Sequence, residues 1–168
     1  GESRDVLWAD AGCFFHALEP IGRRIAESGG MWLRPSAGTM GQWTHPLMFE
    51  CLGADPAEYG DLPNADATLV GLAIASAPAD GRDAVYRDIV APWKACAMVK
   101  DCIAPAGSSR KNHRQDQAVL SYLVHRGGYA FAADTADDLA VRSKCDRWFY
   151  HYIGFGVPSG VYARTCLA

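Results

Sequence analysis

Apolar residues occur along the chain both in short continuous runs and at helical spacing. The run Val-Leu-Trp-Ala at residues 6–9 is typical of a buried strand that presents Asp10 at its carboxyl end. Residues 18–28 predict an amphipathic helix that ends at a Gly-Gly pair. Residues 67–75 are strand-like again. Strands and helices therefore alternate, which favours an α/β fold with a partly parallel sheet.

The remaining segments extend this alternation. Residues 34–44 are rich in Gly, Ser and Pro and predict a loop. Residues 83–90 and 92–99 are predicted as two helices, with a proline at the break or new start between them. A helix is expected over residues 116–125, ended by a second Gly-Gly pair, and residues 129–133 are expected to form a strand.

Composition limits the classes of protein to which the chain can belong. Its 168 residues, 49% of them hydrophobic, fit one domain over residues 1–168 with a substantial core. The net charge of −3 provides no basic surface for a nucleic-acid partner, so none is expected. No apolar run approaches the length of a membrane span, so no span is expected in this chain.

The six cysteines contain no CxxC pair, which argues against a structural zinc site. An even number permits up to three disulfides, but the sequence does not define their connectivity. Cys96 and Cys102 could be joined across a short loop, and buried free thiols are the alternative.

Two polar segments are the strongest candidates for chemistry. Asp10 follows a buried strand and precedes Ala and Gly, so its carboxylate could reach a metal or a phosphate, or it could cap the next turn. The second segment, residues 108–117, places several cations before a helix opened by Asp116 and Gln117. Cations beside a helix start favour an anion such as a phosphate, although Asp116 could equally be a plain cap. The three cations are Arg110, Lys111 and Arg114.

Two further segments combine aromatic residues with histidine. Trp43 and His45 precede Pro46, so Thr44 or His45 is expected to cap a helix there. The two side chains could stack on a sugar ring or form a hydrophobic staple onto that helix. His151 lies among aromatic residues and glycines, where it could be a packed, hydrogen-bonded histidine or a metal ligand.

The order of these segments resembles GT-A glycosyltransferases of the glycogenin and galactosyltransferase type. The matching features are the strand-end Asp10, the helix-opening Asp116-Gln117 pair and the His-x-x-Gly-x-x-x-Pro segment that begins at His151. The sequence from Arg114 onwards is also similar to a group of eukaryotic glycosyltransferase-like proteins with an Arg-x-Asp-Gln motif. The resemblance implies a partial GT-A (Rossmann-like) fold, a mixed sheet flanked by helices that forms the C-terminal portion of that domain.

The resemblance also implies an activity, namely transfer of a sugar from a nucleotide-sugar donor to a glycan or protein acceptor. In this interpretation Asp10 and His151 bind Mn²⁺ or Mg²⁺, while Asp116 and Gln117 contact the donor sugar. The family's phosphate-binding lysine is Val157 here, so the positive charge would come from the three cations of residues 108–117.

Two other functions remain open at the level of sequence. One is a non-catalytic relative that serves as a structural or carbohydrate-binding subunit with other chains of an assembly. The other is a metal-dependent phosphohydrolase. The compartment also stays open, the secretory pathway (Golgi lumen) and another organelle being the two considered.

Overall fold

The computed structural model describes residues 3–10, 13–15, 17–75, 84–133 and 140–142. The strands are β1 (Ser3–Ala9), β2 (Cys13–Phe15), β3 (Met31–Trp32), β4 (Pro35–Thr39), β5 (Pro63–Ala65), β6 (Leu69–Ala75) and β7 (Ala140–Arg142). The α-helices are α1 (Glu19–Glu27), α2 (Met40–Trp43), α3 (Pro46–Cys51), α4 (Pro56–Tyr59), α5 (Ala91–Ala97), α6 (Lys100–Ile103) and α7 (Gln115–Arg126). A π-helical turn, Tyr86–Val90, leads directly into α5.

A three-stranded sheet with the order β1-β6-β3 forms the centre of the fold. Both outer strands pair antiparallel with β6, so β1 and β3 run in the same direction and α1 connects them. The expected mixture of strands and helices is confirmed. The expected parallel pairing is not found between any two of the described strands, because β6, which comes later in the chain, lies between β1 and β3. The smaller sheets, β2-β7 and β4-β5, are antiparallel as well.

The two faces of the central sheet pack against different helices. Alternate residues of β6 point to opposite faces, so Val70 and Leu72 join the large core while Leu69 packs in a smaller cluster with Ile25 of α1. Gly71 permits the close approach of α1, since a Cβ atom there would lie 2.7 Å from Ile25 Cγ1.

Helix α7 passes through the large core. Its residues 118–124 are all buried, and among them Ser121 makes polar contacts rather than apolar ones. The Ser121 hydroxyl donates to the Gln117 carbonyl at 2.7 Å and accepts the Ala65 N–H of β5 at 2.9 Å. These bonds fix the start of α7 relative to the β4-β5 sheet.

A disulfide between Cys96 and Cys102 joins α5 to α6, which confirms the pairing considered for these two cysteines. It holds α6 directly before the polar segment that precedes α7. Among the helices that the structure describes, none is sufficiently long and apolar to cross a membrane.

Two local predictions differ from the structure, and a third is confirmed. Residues 34–44 contain β4 and α2 rather than only a loop, because Thr39 and Gln42 form a capping box that starts a helix. Pro92 marks a new start, as expected, because it lies in the first turn of α5, directly after the π-helical turn. Residues 129–133 belong to no strand, although the Ala132 N–H donates to the carbonyl of Leu33, just after β3.

Candidate functional site

A polar cleft of about 770 Å³ lies at the carboxyl end of β1. Its walls come from Asp10, residues 67–68, Lys100 of α6, and the segment that leads into the first turn of α7. The cleft brings together five of the residues singled out in the sequence, namely Asp10, Arg110, Arg114, Asp116 and Gln117. Residues that are widely separated in the chain therefore meet at one sheet end, as expected for a ligand site.

Backbone hydrogen bonds hold Asp10 at the end of its strand. Its N–H donates to the Thr68 carbonyl at 2.9 Å, which extends the β1-β6 ladder by one bond, and its own carbonyl accepts from Cys13 N–H at 2.9 Å. This acid lies at the cleft because the strand ends there, as the sequence predicts.

The cationic loop, residues 104–114, is held in shape by its own hydrogen bonds. The Asn112 side chain accepts from Ser109 N–H at 2.7 Å and donates to the Gly107 carbonyl at 3.2 Å. Gly107 has a φ of 81°, a conformation that glycine adopts without the steric cost of a side chain. Arg110 and Arg114 are thus presented to the cleft by an ordered turn.

His113 anchors the cationic loop to the body of the protein. It is 2% exposed, its Nδ1 accepts the His45 N–H at 3.2 Å, and its Nε2 donates to the Ile103 carbonyl at 2.9 Å. These partners require the neutral imidazole with its proton on Nε2. Burial lowers the pKa of His113 and so favours the same neutral form. The sequence prediction missed this role, and a histidine inside an otherwise exposed polar run was the available signal.

Asp116 lies on the cleft wall with an exposed side chain. The surrounding protein limits hydration of its carboxyl and raises its pKa, and the negative charge of Asp10 raises it further, against the hydrogen bond from Gln117 N–H. The two carboxylates are thus near enough to repel one another. A cation placed between them would relieve that repulsion.

Gln115, the residue between the cationic loop and Asp116, has a left-handed backbone with a φ of 43°. A residue other than glycine rarely adopts this conformation, and such strain is concentrated at functional sites. The sequence contains no signal for it, because glutamine is an ordinary helix residue.

Three predicted binding residues lie outside the cleft walls that the structure describes, namely Trp43, His45 and Lys111. The Trp43 ring is covered by Arg114, whose guanidinium carbon lies 4.1 Å from the ring centroid, and the Trp43 carbonyl accepts Arg114 N–H at 2.9 Å. His45 caps α3, its Nδ1 accepting from Leu47 N–H at 3.3 Å, as one of the two expected caps. Trp43 and His45 therefore position Arg114 and His113, while Lys111 is exposed on the same loop.

The expected metal ligands are described only in part. His151 lies outside the described residues. Within those residues, no three side chains of His, Cys, Asp or Glu converge in a group that could hold a metal. Asp10 and Asp116 nevertheless supply two carboxylates to one cleft that also carries cations for a phosphate. This donor set fits Mg²⁺ or Mn²⁺, since Mg²⁺ is usually held by one or two carboxylates together with substrate phosphates and water.

The fold and the site define a mixed α/β protein in which a pair of carboxylates and a cationic loop face one cleft at a sheet end. Comparison with protein-family models, with curated proteins and with solved structures finds no match to this chain.

Proposed function

We propose that this chain is the catalytic part of a glycosyltransferase that transfers a sugar from a nucleotide-sugar donor with the help of a divalent cation. The observation that carries the proposal is the placement of Asp10 and Asp116 on one cleft with Arg110 and Arg114. Acidic and basic groups on one wall suit a ligand that brings both a metal ion and a diphosphate. The central sheet would then be the C-terminal portion of a GT-A fold.

The cationic side of the cleft would bind the diphosphate of the donor. Arg110 and Arg114 can form paired hydrogen bonds with phosphate oxygens, and Lys100 adds a point charge from α6. Ser108 and Ser109 supply hydroxyl groups on the same wall. Because the loop is already ordered by its internal bonds, little conformational entropy is lost on binding.

The acidic side would hold the cation and face the sugar. Asp10 and Asp116 are the ligands for Mn²⁺ or Mg²⁺ that the described residues provide, and His151 remains a proposed third. When bound, the metal would neutralise negative charge on the departing diphosphate. The oxygens of Asp116 and Gln117 can stabilise the positive charge that develops on the anomeric carbon of the sugar. The Cys96–Cys102 disulfide is compatible with an oxidising compartment such as the secretory pathway.

Calorimetric titration with uridine diphosphate and guanosine diphosphate, each with and without Mn²⁺, tests the proposal. We expect one of the two nucleotides to bind in a metal-dependent manner, and Asp10→Asn to weaken that binding at least ten-fold. Lys111→Ala is the matched control, because Lys111 is exposed on the cationic loop but lies outside the cleft walls. Equal binding with and without metal, or binding unaffected by Asp10→Asn, would refute the proposal.

A second measurement separates catalysis from binding alone. Release of nucleoside diphosphate from a panel of nucleotide sugars is expected in the presence of Mn²⁺ and should be lost in Asp116→Asn. Metal-dependent nucleotide binding without any such release would instead indicate the non-catalytic binding subunit.

A further inference from the structure

One edge of the central sheet is open among the residues that the structure describes. Strand β1 pairs with β6 alone, and the register between them has no shift along the strand. The Asp10 N–H continues this ladder by donating to the Thr68 carbonyl. Because the backbone groups of successive residues point to opposite sides of a strand, those of Asp5, Leu7 and Ala9 point away from β6. These groups form the outer edge of β1.

The outer edge of β1 has few of the features that normally prevent strands from pairing. Within the described part of the chain, no backbone group forms a hydrogen bond to it. Sheet edges are usually protected by a very short strand, a proline, a bulge, charged side chains or a covering element. β1 has seven residues without a proline or a bulge, and its charges, Arg4 and Asp5, lie near one end. The outer edge can therefore accept another extended strand.

Two large apolar side chains of β1 are accessible to solvent beside this edge. Val6 is 41% exposed and Trp8 is 49% exposed. Both point to the same face of the sheet, where they line a largely apolar cavity of about 330 Å³ with Trp93 of α5. The rings of Trp8 and Trp93 lie 5.8 Å apart. Exposed apolar surface next to an open sheet edge is typical of a contact site for another protein chain.

We propose that the outer edge of β1 pairs antiparallel with the same edge of a second copy of this chain, about a two-fold axis at Leu7. The two central sheets then become one continuous sheet across a dimer. A two-fold contact uses the same surface on both copies, so this surface must be complementary to itself. The inference goes beyond the proposed function and does not depend on it, since it concerns the assembly of the chain.

The side chains of β1 are complementary to themselves when Leu7 lies on the axis. Leu7 then faces Leu7 of the second copy, and each residue exchanges both backbone hydrogen bonds with its counterpart. Val6 of one copy faces Trp8 of the other in a pair without mutual backbone bonds, where the side chains are closest. Pairs of an aromatic and a β-branched side chain are among those that stabilise sheets.

Charge complementarity also favours this register. With Leu7 on the axis, Arg4 of one copy faces Asp10 of the other, so opposite charges meet at both ends of the paired strands. A register centred on Val6 would instead place Asp5 opposite Leu7, an acid opposite an apolar side chain. The second copy is therefore a better occupant in the first register than in the second.

Sedimentation velocity over a concentration series from about 1 μM to about 100 μM tests for the dimer. We expect the share of dimer to rise with concentration, and Asp5→Pro to weaken dimerisation at least ten-fold. Proline lacks the N–H that the second copy would bond, whereas the ladder with β6 does not use this N–H. Asp5→Ala is the matched control, because it removes the side chain but keeps the N–H, and it should dimerise like the wild type.

A cross-linking experiment with Leu7→Cys tests the register. Facing residues that exchange hydrogen bonds have Cα atoms about 5.5 Å apart, which a disulfide can span. Oxidation by air with copper phenanthroline should therefore link two copies of Leu7→Cys. Asp5→Cys is the control, because its counterpart lies several residues along the paired strand. The wild type gives the background from free cysteines such as Cys13 and Cys51.

The results separate the proposed contact from the other possibilities. A dimer that is weakened in Asp5→Pro and cross-linked through Leu7→Cys supports it. A monomer at every concentration overturns it, and so does a dimer as strong in Asp5→Pro as in the wild type, since another surface would then form the contact. Cross-linking that is equal in Leu7→Cys and Asp5→Cys overturns the register. None of these results depends on whether the cleft binds a nucleotide.

Discussion

Replacing His113 by leucine tests whether the cationic loop depends on a buried neutral histidine. The wild-type imidazole satisfies the His45 N–H and the Ile103 carbonyl, at 3.2 Å and 2.9 Å. Leucine has a similar volume but can bond to neither group. The substitution therefore leaves two backbone groups without partners at the point where the loop joins α3 and α6.

The expected loss of stability follows from those two groups. A buried donor or acceptor left unsatisfied costs about 1–3 kcal/mol; because the His45 N–H and the Ile103 carbonyl are only part-buried, the lower end applies and the two together cost about 2 kcal/mol. Small domains have a total stability of about 5–15 kcal/mol, so the loss is a large fraction of the free energy of unfolding. Urea denaturation at pH 8, followed by circular dichroism, measures this difference.

The pH dependence gives a second, independent readout of His113. Burial lowers the pKa of His113 in the folded state, so below about pH 6.5 the unfolded chain binds the proton more readily than the folded chain. The contribution of His113 to the free energy of unfolding is therefore fully present above about pH 6.5 and decreases as the pH falls. The difference in stability between wild type and His113→Leu should narrow from pH 8 to pH 5.5. The opposite contribution of Asp116, whose pKa is raised, is common to both proteins and cancels.

Two results would refute this account of His113. The first is a free energy of unfolding of His113→Leu that lies within about 0.5 kcal/mol of the wild-type value at pH 8, which is the range expected for a typical surface substitution. The second is a stability difference that stays constant from pH 8 to pH 5.5. Lys111→Ala, an exposed change on the same loop, is the control and should stay within that range at both pH values.

Three other predictions concern the surroundings of the cleft. Ser121→Ala should lower the free energy of unfolding by about 1–3 kcal/mol, because the buried Ala65 N–H loses its acceptor; an unchanged urea midpoint would contradict this. Replacing Cys96 and Cys102 together by serine should cost about 2 kcal/mol, since the disulfide closes a loop of sequence separation 6. Calorimetry under non-reducing conditions measures this loss, and an unchanged melting temperature would argue against the bond. Gln115→Gly should raise stability by up to about 1 kcal/mol, because glycine tolerates the φ of 43° but has more freedom when unfolded. Urea denaturation measures the gain, and a clear destabilisation would show that the Gln115 side chain matters more than its backbone.

Features that depend on neighbouring residues could be predicted from the sequence. The apolar run before Asp10 forms β1, the helical spacing of residues 18–28 forms α1, and the helix opened by Asp116 is α7. For the cap of α3 and for the Cys96–Cys102 pairing, the sequence offered two alternatives each, and the structure contains one of them. In each case a few adjacent side chains determine the local backbone.

Features that depend on contacts between distant residues could not be predicted in this way. A strand-helix-strand order in the sequence does not show whether a later strand lies between those two strands in the sheet. The position of β6 between β1 and β3 could therefore not be predicted. The contact between the Trp8 and Trp93 rings likewise requires β1 and α5 to meet, and neither residue differs in sequence from a core tryptophan. Trp43 looked available for a ligand, although a residue far along the chain, Arg114, covers its ring.

The strain at Gln115 connects the predictable and the unpredictable parts of the site. A backbone with positive φ is retained when surrounding contacts determine it, and here His113 fixes the loop before Gln115 while Ser121 and Trp93 fix the helix after it. These contacts place Asp116 on the wall of the polar cleft that Asp10 also lines, and the negative charge of Asp10 contributes to the raised pKa of Asp116. Under the proposed function, a cation bound in the cleft would offset the repulsion between Asp10 and Asp116.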